Sequence, residues 1–135
     1  MPAKLTKFVL DIGMVTDDAP AALAFFRDLL GFTEAGSVPF PGVGTVRRLS
    51  CGETTFRILE LERAAPAQAH AGAFTDQTGL RYLTLEVANL DELVAEAVGA
   101  GYPNPVPPRE LRPGVRVAQI GDGRGITVEL MQIGA

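Results

Sequence analysis

Cysteine and histidine are nearly absent from this 135-residue chain, and tryptophan is missing altogether. The single cysteine, Cys51, cannot form an intrachain disulfide or supply a cysteine metal cluster. The single histidine, His70, excludes any site that needs two imidazoles from one chain, including the helical zinc motif with paired histidines. Aromatic residues make up 7% of the chain, too few for a run of base-stacking platforms. Positive charge is also short: 12 Lys and Arg against 16 Asp and Glu leave a net charge of −4, so no basic stripe for nucleic acid or anionic lipid is expected. Long apolar runs are missing. The opening MPAKLTKFVLDIGMV is interrupted by Asp11 and fits neither a secretory signal nor a membrane span. These absences predict a cytoplasmic protein with no nucleic-acid and no membrane partner. The remaining composition, 47% hydrophobic and 21% charged, is ordinary for one soluble domain, 1–135, large enough to fold without disulfides.

An internal repeat organises the chain. Residues 46–61, VRRLSCGETTFRILEL, align without a gap on residues 115–130, VRVAQIGDGRGITVEL. Val46/Val115, Arg47/Arg116, Gly52/Gly121, Glu60/Glu129 and Leu61/Leu130 are five identities in sixteen, against roughly one expected from average residue usage. Upstream of each repeat lies a strand with period-two alternation, residues 8–15 and 81–87. Each is followed by a capped helix. The first opens at Asp17 or Asp18 with Pro20 in its first turn and stops at Gly31; the second opens at Asn89 with Glu92 as a capping box and stops at Gly99 or Gly101. Pro/Gly-rich stretches, 34–44 and 104–114, lead into two strands joined by tight turns at Gly52-Glu53 and Asp122-Gly123. The expected organisation is a first module at 5–62, an Ala-rich linker at 63–78 and a second module at 79–135.

Alternation then assigns faces. Leu10, Ile12 and Met14, and Leu83, Leu85 and Val87, are expected beneath the helices. Asp11 lies on the opposite face of its strand, as do Tyr82, Thr84 and Glu86. On the last strands the leucine faces (Leu59 and Leu61, Val128 and Leu130) are expected to be covered. That leaves Phe56, Ile58 and Glu60, and Thr127, Glu129 and Met131, on the helix-free side. Carboxylates in an apolar-walled cleft are costly to keep charged without a cation, a donor or a proton, so this acidic cluster is the candidate site. The plainer reading has Glu60 and Glu129 as strand residues neutralised by arginines such as Arg48. His70 reads as exposed and inert, and Gly121, Gly123 and Gly125 as a hairpin, since no helix follows them to make a phosphate cradle.

The strand, acid-capped helix and aromatic end in VLDIGMVTDDAPAALAFFRDLLGF, with Phe25-Phe26-Arg27-Asp28-Leu29-Leu30-Gly31-Phe32 at its close, and the final GDGRGITVEL resemble the vicinal-oxygen-chelate superfamily. This is the group of glyoxalases, bleomycin-resistance proteins and extradiol dioxygenases. The resemblance covers nearly the whole chain. It implies an α+β fold of two paired βαβββ modules forming a curved mixed sheet around a cleft, and a homodimer. It also implies four metal-ligand positions, which fall here on Asp11, Glu60, Tyr82 and Glu129. Both positions usually held by imidazole are changed. No metal is therefore expected; a divalent Mg, Mn, Ni or Zn ion, if bound, would rest on Asp11, Glu60 and Glu129.

Two functions fit these residues. The first is a metal-free binder that holds a small organic molecule, cationic or hydroxyl-rich, between Asp11, Glu60, Glu86 and Glu129, with Phe56 and Tyr82 as apolar walls and Ile58, Thr84, Thr127, Met131 and Arg48 as further contacts. The second is an isomerase, epimerase or lyase in which Glu60 or Glu129 moves a proton next to a carbonyl while Tyr82 or a hard cation stabilises the enolate.

Overall fold

The structure is a computed structural model that describes residues 1–134. It contains two α+β units, Met1–Pro66 and Ala67–Ala135. The division falls after Pro66, inside the segment expected to link the modules, so most of that segment belongs to the second unit.

The first unit contains β1 (Ile12–Thr16), helix α1 (Ala19–Leu23) with a π-helical continuation (Ala24–Leu29), β2 (Thr33–Phe40), β3 (Gly44–Cys51) and β4 (Thr54–Leu61). The sheet order is β1-β4-β3-β2, with β1 parallel to β4 and the other pairs antiparallel. Asp18 caps α1, its side chain accepting from Ala21 N at 3.2 Å, and Pro20 sits in the first turn, where a missing N–H costs nothing. The wider π turn reduces the rotation between successive residues. It lets the adjacent Phe25 and Phe26 both pack inward, each fully buried. Gly31 then ends the helix at φ 81°, a conformation that side chains with a Cβ resist.

The second unit repeats the plan with β5 (Tyr82–Glu86), α2 (Leu90–Gly99), β6 (Val106–Arg112), β7 (Val115–Gly121) and β8 (Thr127–Ile133), ordered β5-β8-β7-β6. The capping box expected at Asn89 is not used. Asn89 makes no side-chain cap, and Gln132 on β8 accepts from Leu90 N at 2.9 Å instead. Among the described residues no helix is long and apolar enough to cross a membrane.

Both Pro/Gly-rich stretches are strands, β2 and β6, at sheet edges. There Pro39, Pro107 and Pro108 need not donate to a ladder. Leu10, expected under the first helix, precedes β1 and is 80% exposed.

The main correction concerns β4. Phe56 and Ile58 were expected on the helix-free face as ligand contacts, yet they are the core of the first unit, 1% and 0% exposed. The Phe26 ring lies 4.4 Å from that of Phe56, which identifies the covered face. Ile12 and Met14 are the β1 partners of Phe56 and Ile58, and Leu49 is the β3 partner of Phe56. Leu59, with its partners Val15 and Val46, lies on the other face.

The reason is the hairpins. β3 and β4 close from Cys51 to Thr54 through two residues, whereas β7 and β8 close from Gly121 to Thr127 through residues 122–126. The difference is an odd number. An alignment that keeps β3 and β7 in phase therefore puts β4 and β8 out of phase, and an odd slip inverts every side chain. Glu60 and Glu129 match in the sequence repeat but stand on opposite kinds of face.

Candidate functional site

In the second unit the expected faces hold. Gln132 caps α2 and Arg116, its β7 partner, donates to Asp91 on α2 at 2.6 Å. The face carrying Gln132 is thus the helix side, and it also carries the fully buried Ala118, Ile120, Val128 and Leu130. The alternate residues form the helix-free face: Tyr82, Thr84 and Glu86 on β5, paired in register with Thr127, Glu129 and Met131 on β8.

Glu129 is the centre of this face. Thr84 Oγ1 lies 3.4 Å from Glu129 Oε1, and no lysine or arginine pairs with the carboxylate among the described residues. Its β7 neighbour is Gln119, 7% exposed, whose Oε1 is buried without a hydrogen-bond partner among the described residues. Gln119 is not among the candidates expected from the sequence, where it shows as a lone amide inside the apolar run Val117-Ala118-Gln119-Ile120. A buried acceptor without a donor is unusual and costs free energy until a partner arrives.

The segment before β5 was also missed. Phe74, read as part of a linker, packs edge-on against Tyr82 with ring centroids 5.4 Å apart. The turn that carries it is tied by Asp76, whose Oδ2 accepts from Ala73 N and lies 3.1 Å from His70 Nε2. His70 therefore holds this turn. Beside it a cavity of about 300 Å³ is walled by Phe74, Pro103, Pro105, Gly121 and Thr127. Thr127 belongs both to this cavity and to the face that carries Glu129.

The first unit places its candidates differently. Asp11 lies on the helix-free side, accepting from Lys7 at 2.7 Å and from Arg57 at 2.9 Å. These two cations hold its carboxyl below the usual 3.8, the hydrogen bond from Lys7 being the larger influence. Glu60 lies on the other face, in line with Phe56 and Ile58, where Arg47 donates to it at 3.1 Å. Arg48, expected as its neutralising partner, points to the opposite side of β3 and among the described residues reaches only the Ala35 carbonyl, at 3.4 Å.

This donor set does not fit the metal that the resemblance implies. Asp11 and Glu60 stand on opposite faces of one sheet, and each is already satisfied by arginine. The residues that replace Glu60 on the helix-free face, Leu59 and Leu61, carry no donor. On the second sheet Tyr82 and Glu129 supply one carboxylate and one neutral phenol. No group of three His, Cys, Asp or Glu side chains gathers among the described residues.

Comparisons with known proteins agree with this architecture. No curated protein matches the chain significantly. Among solved structures, a glyoxalase family protein from Bacillus cereus superposes with a TM-score of 0.83 at 16% identity, over 100% of both chains. TnmS3, an antibiotic binding protein from Streptomyces sp. CB03234, gives 0.69 at 18% identity, over 98% of this chain and 100% of that one. Lactoylglutathione lyase from Agrobacterium tumefaciens gives 0.61 at 18% identity, over 96% of each. At these identities the likeness is one of fold. A family model matches residues 9–130, and the chain belongs to the Glyoxalase/Bleomycin resistance protein/Dioxygenase superfamily.

Proposed function

We propose that this protein binds a small, basic or hydroxyl-rich organic molecule on the helix-free face of its second module, without a metal. The observation that carries this reading is Glu129. Of the three carboxylates at the family's ligand positions, Asp11 and Glu60 are each ion-paired, and among the described residues Glu129 has only the Thr84 hydroxyl as a partner. An uncompensated carboxylate beside an orphaned amide oxygen, Gln119 Oε1, suits a ligand that brings N–H or O–H donors. Tyr82, Thr84, Glu86, Thr127 and Met131 supply further polar and apolar contacts on the same face. The fold shared with an antibiotic binding protein supports sequestration as the outcome.

A second reading draws on the same carboxylate. Glu129 would take a proton next to a carbonyl in an isomerase, epimerase or lyase, with Tyr82 donating to the enolate oxygen. Glu60 has no part in it, since Arg47 holds it on the opposite kind of face.

The test is a thermal-shift screen of basic and polyhydroxylated small molecules, repeated on Glu129→Gln. The expected result is a ligand-dependent rise in melting temperature that falls sharply in the variant. A ligand set that stabilises both proteins equally overturns the assignment to Glu129. Product formation by the wild type that Glu129→Gln abolishes favours the enzyme.

A further inference from the structure

The helix-free face of the first module carries an arrangement that the second does not. Arg48 and Arg57 are direct partners across the antiparallel β3–β4 pair. Both lie on the face opposite the buried Leu49, Phe56 and Ile58, and both are exposed. Side chains so placed start roughly 5 Å apart, and like charges there repel. The compensation is incomplete. Asp11 accepts from Arg57 but is shared with Lys7, and Arg48 has no carboxylate partner among the described residues. Three cations against one carboxylate leave two positive charges in excess, on a chain whose net charge is −4.

The surroundings leave room above this pair. Gly13 is the β1 partner of Arg57, and a Cβ placed on it would meet nothing within 4 Å. On the other side the β2 register slips between Glu34 and Ser37, which puts Gly36 beside the Arg48 guanidinium. Two arginines are thus flanked by two residues without side chains. One step along the strands, Val15 (62% exposed) and Leu59 are cross-strand partners on the same face, forming an apolar floor.

We propose that the Arg48–Arg57 pair is a binding site for a small organic acid, with its carboxylate held between the two guanidiniums and its apolar body resting on Val15 and Leu59. Guanidinium forks match a carboxylate's two oxygens, and an anion between the arginines converts their repulsion into two attractive contacts. The proposal rests on the first module alone, independently of the reading of Glu129.

The experiment is a titration of 15N-labelled protein with benzoate, at constant ionic strength, with benzyl alcohol as the neutral control. Saturable shifts are expected at the amides of Gly13, Gly36, Arg48 and Arg57, with benzyl alcohol giving none. Arg48→Gln should raise the benzoate Kd at least tenfold and leave the spectrum of the remaining amides folded. Arg48→Lys, which keeps the charge without the fork, should fall between the two. The proposal is overturned if benzoate gives no saturable shift, if benzyl alcohol shifts the same amides, or if Arg48→Gln binds as tightly as the wild type. Shifts centred on Thr84, Thr127 and Glu129 instead would overturn it while bearing separately on the second module.

Discussion

Phe26 on the π-helical turn and Phe56 on β4 face each other with ring centroids 4.4 Å apart and planes inclined by 33°. Phe32 joins them at 6.1 Å from Phe26 and 5.7 Å from Phe56. This cluster pins β4 in the register that buries Phe56 and Ile58 and turns Glu60 away from the helix-free face.

Truncating Phe56 should therefore act on stability. Phe56→Ala removes a ring that is 1% exposed, and large-to-small changes at such positions cost about 3–5 kcal/mol. Equilibrium urea unfolding is the measurement. A variant as stable as the wild type would contradict the packing described, and so would one that stays folded with selectively lost ligand affinity.

The start of α2 offers a sharper comparison. Gln132→Ala removes the acceptor for Leu90 N and should destabilise the protein by about 1 kcal/mol, the usual worth of a helix N-cap. Asn89→Ala should cost less than about 0.5 kcal/mol, because the Asn89 side chain caps nothing. Unfolding curves of the two variants give the ranking, and the reverse order would restore the local capping box.

Asp11 sets an acid response. Its carboxyl titrates below the ordinary 3.8 because Lys7 and Arg57 favour the charged form. A group depressed in the folded state stabilises the fold above its unfolded pKa and loses that contribution as pH falls through the lower folded value. The Lys7–Asp11–Arg57 contacts should persist at pH 5 and be lost only on acidification below about 3.8. Carboxyl 13C NMR titration reads this directly, and a midpoint for Asp11 above 3.8 would rule the contacts out in solution.

Divalent metals should not stabilise the protein. Asp11 and Glu60 stand on opposite faces and both are ion-paired, so Mg²⁺, Mn²⁺, Ni²⁺ and Zn²⁺ are expected to leave the melting temperature unchanged. A saturable rise that EDTA reverses, and that Glu129→Gln removes, would show that a metal site assembles around Glu129 after all.

Legibility in the sequence tracked how one-sided each strand is. β5 and β8 alternate cleanly, with Leu83 and Leu85 against Tyr82, Thr84 and Glu86, so their faces could be assigned before any coordinates. β4 does not alternate. Phe56, Ile58, Leu59 and Leu61 are apolar on both sides, and either pair could have been the core. Leu10 continued the apolar alternation of β1 on paper, yet the strand begins only at Ile12.

The amino-acid order alone determined the repeated strand–helix–strands plan, a helix stop at Gly31 and another at Gly99 or Gly101, and the family. These follow from local periodicity, capping and turn chemistry, which act over a few residues. Tertiary structure decided which face of β4 is buried, and hence that Glu60 pairs with Arg47 while Arg48 meets Arg57. That choice depends on hairpin length and on the ring packing of Phe26 against Phe56. A pleated strand gives its two faces equal geometry, and only contact with another element makes one of them the inside.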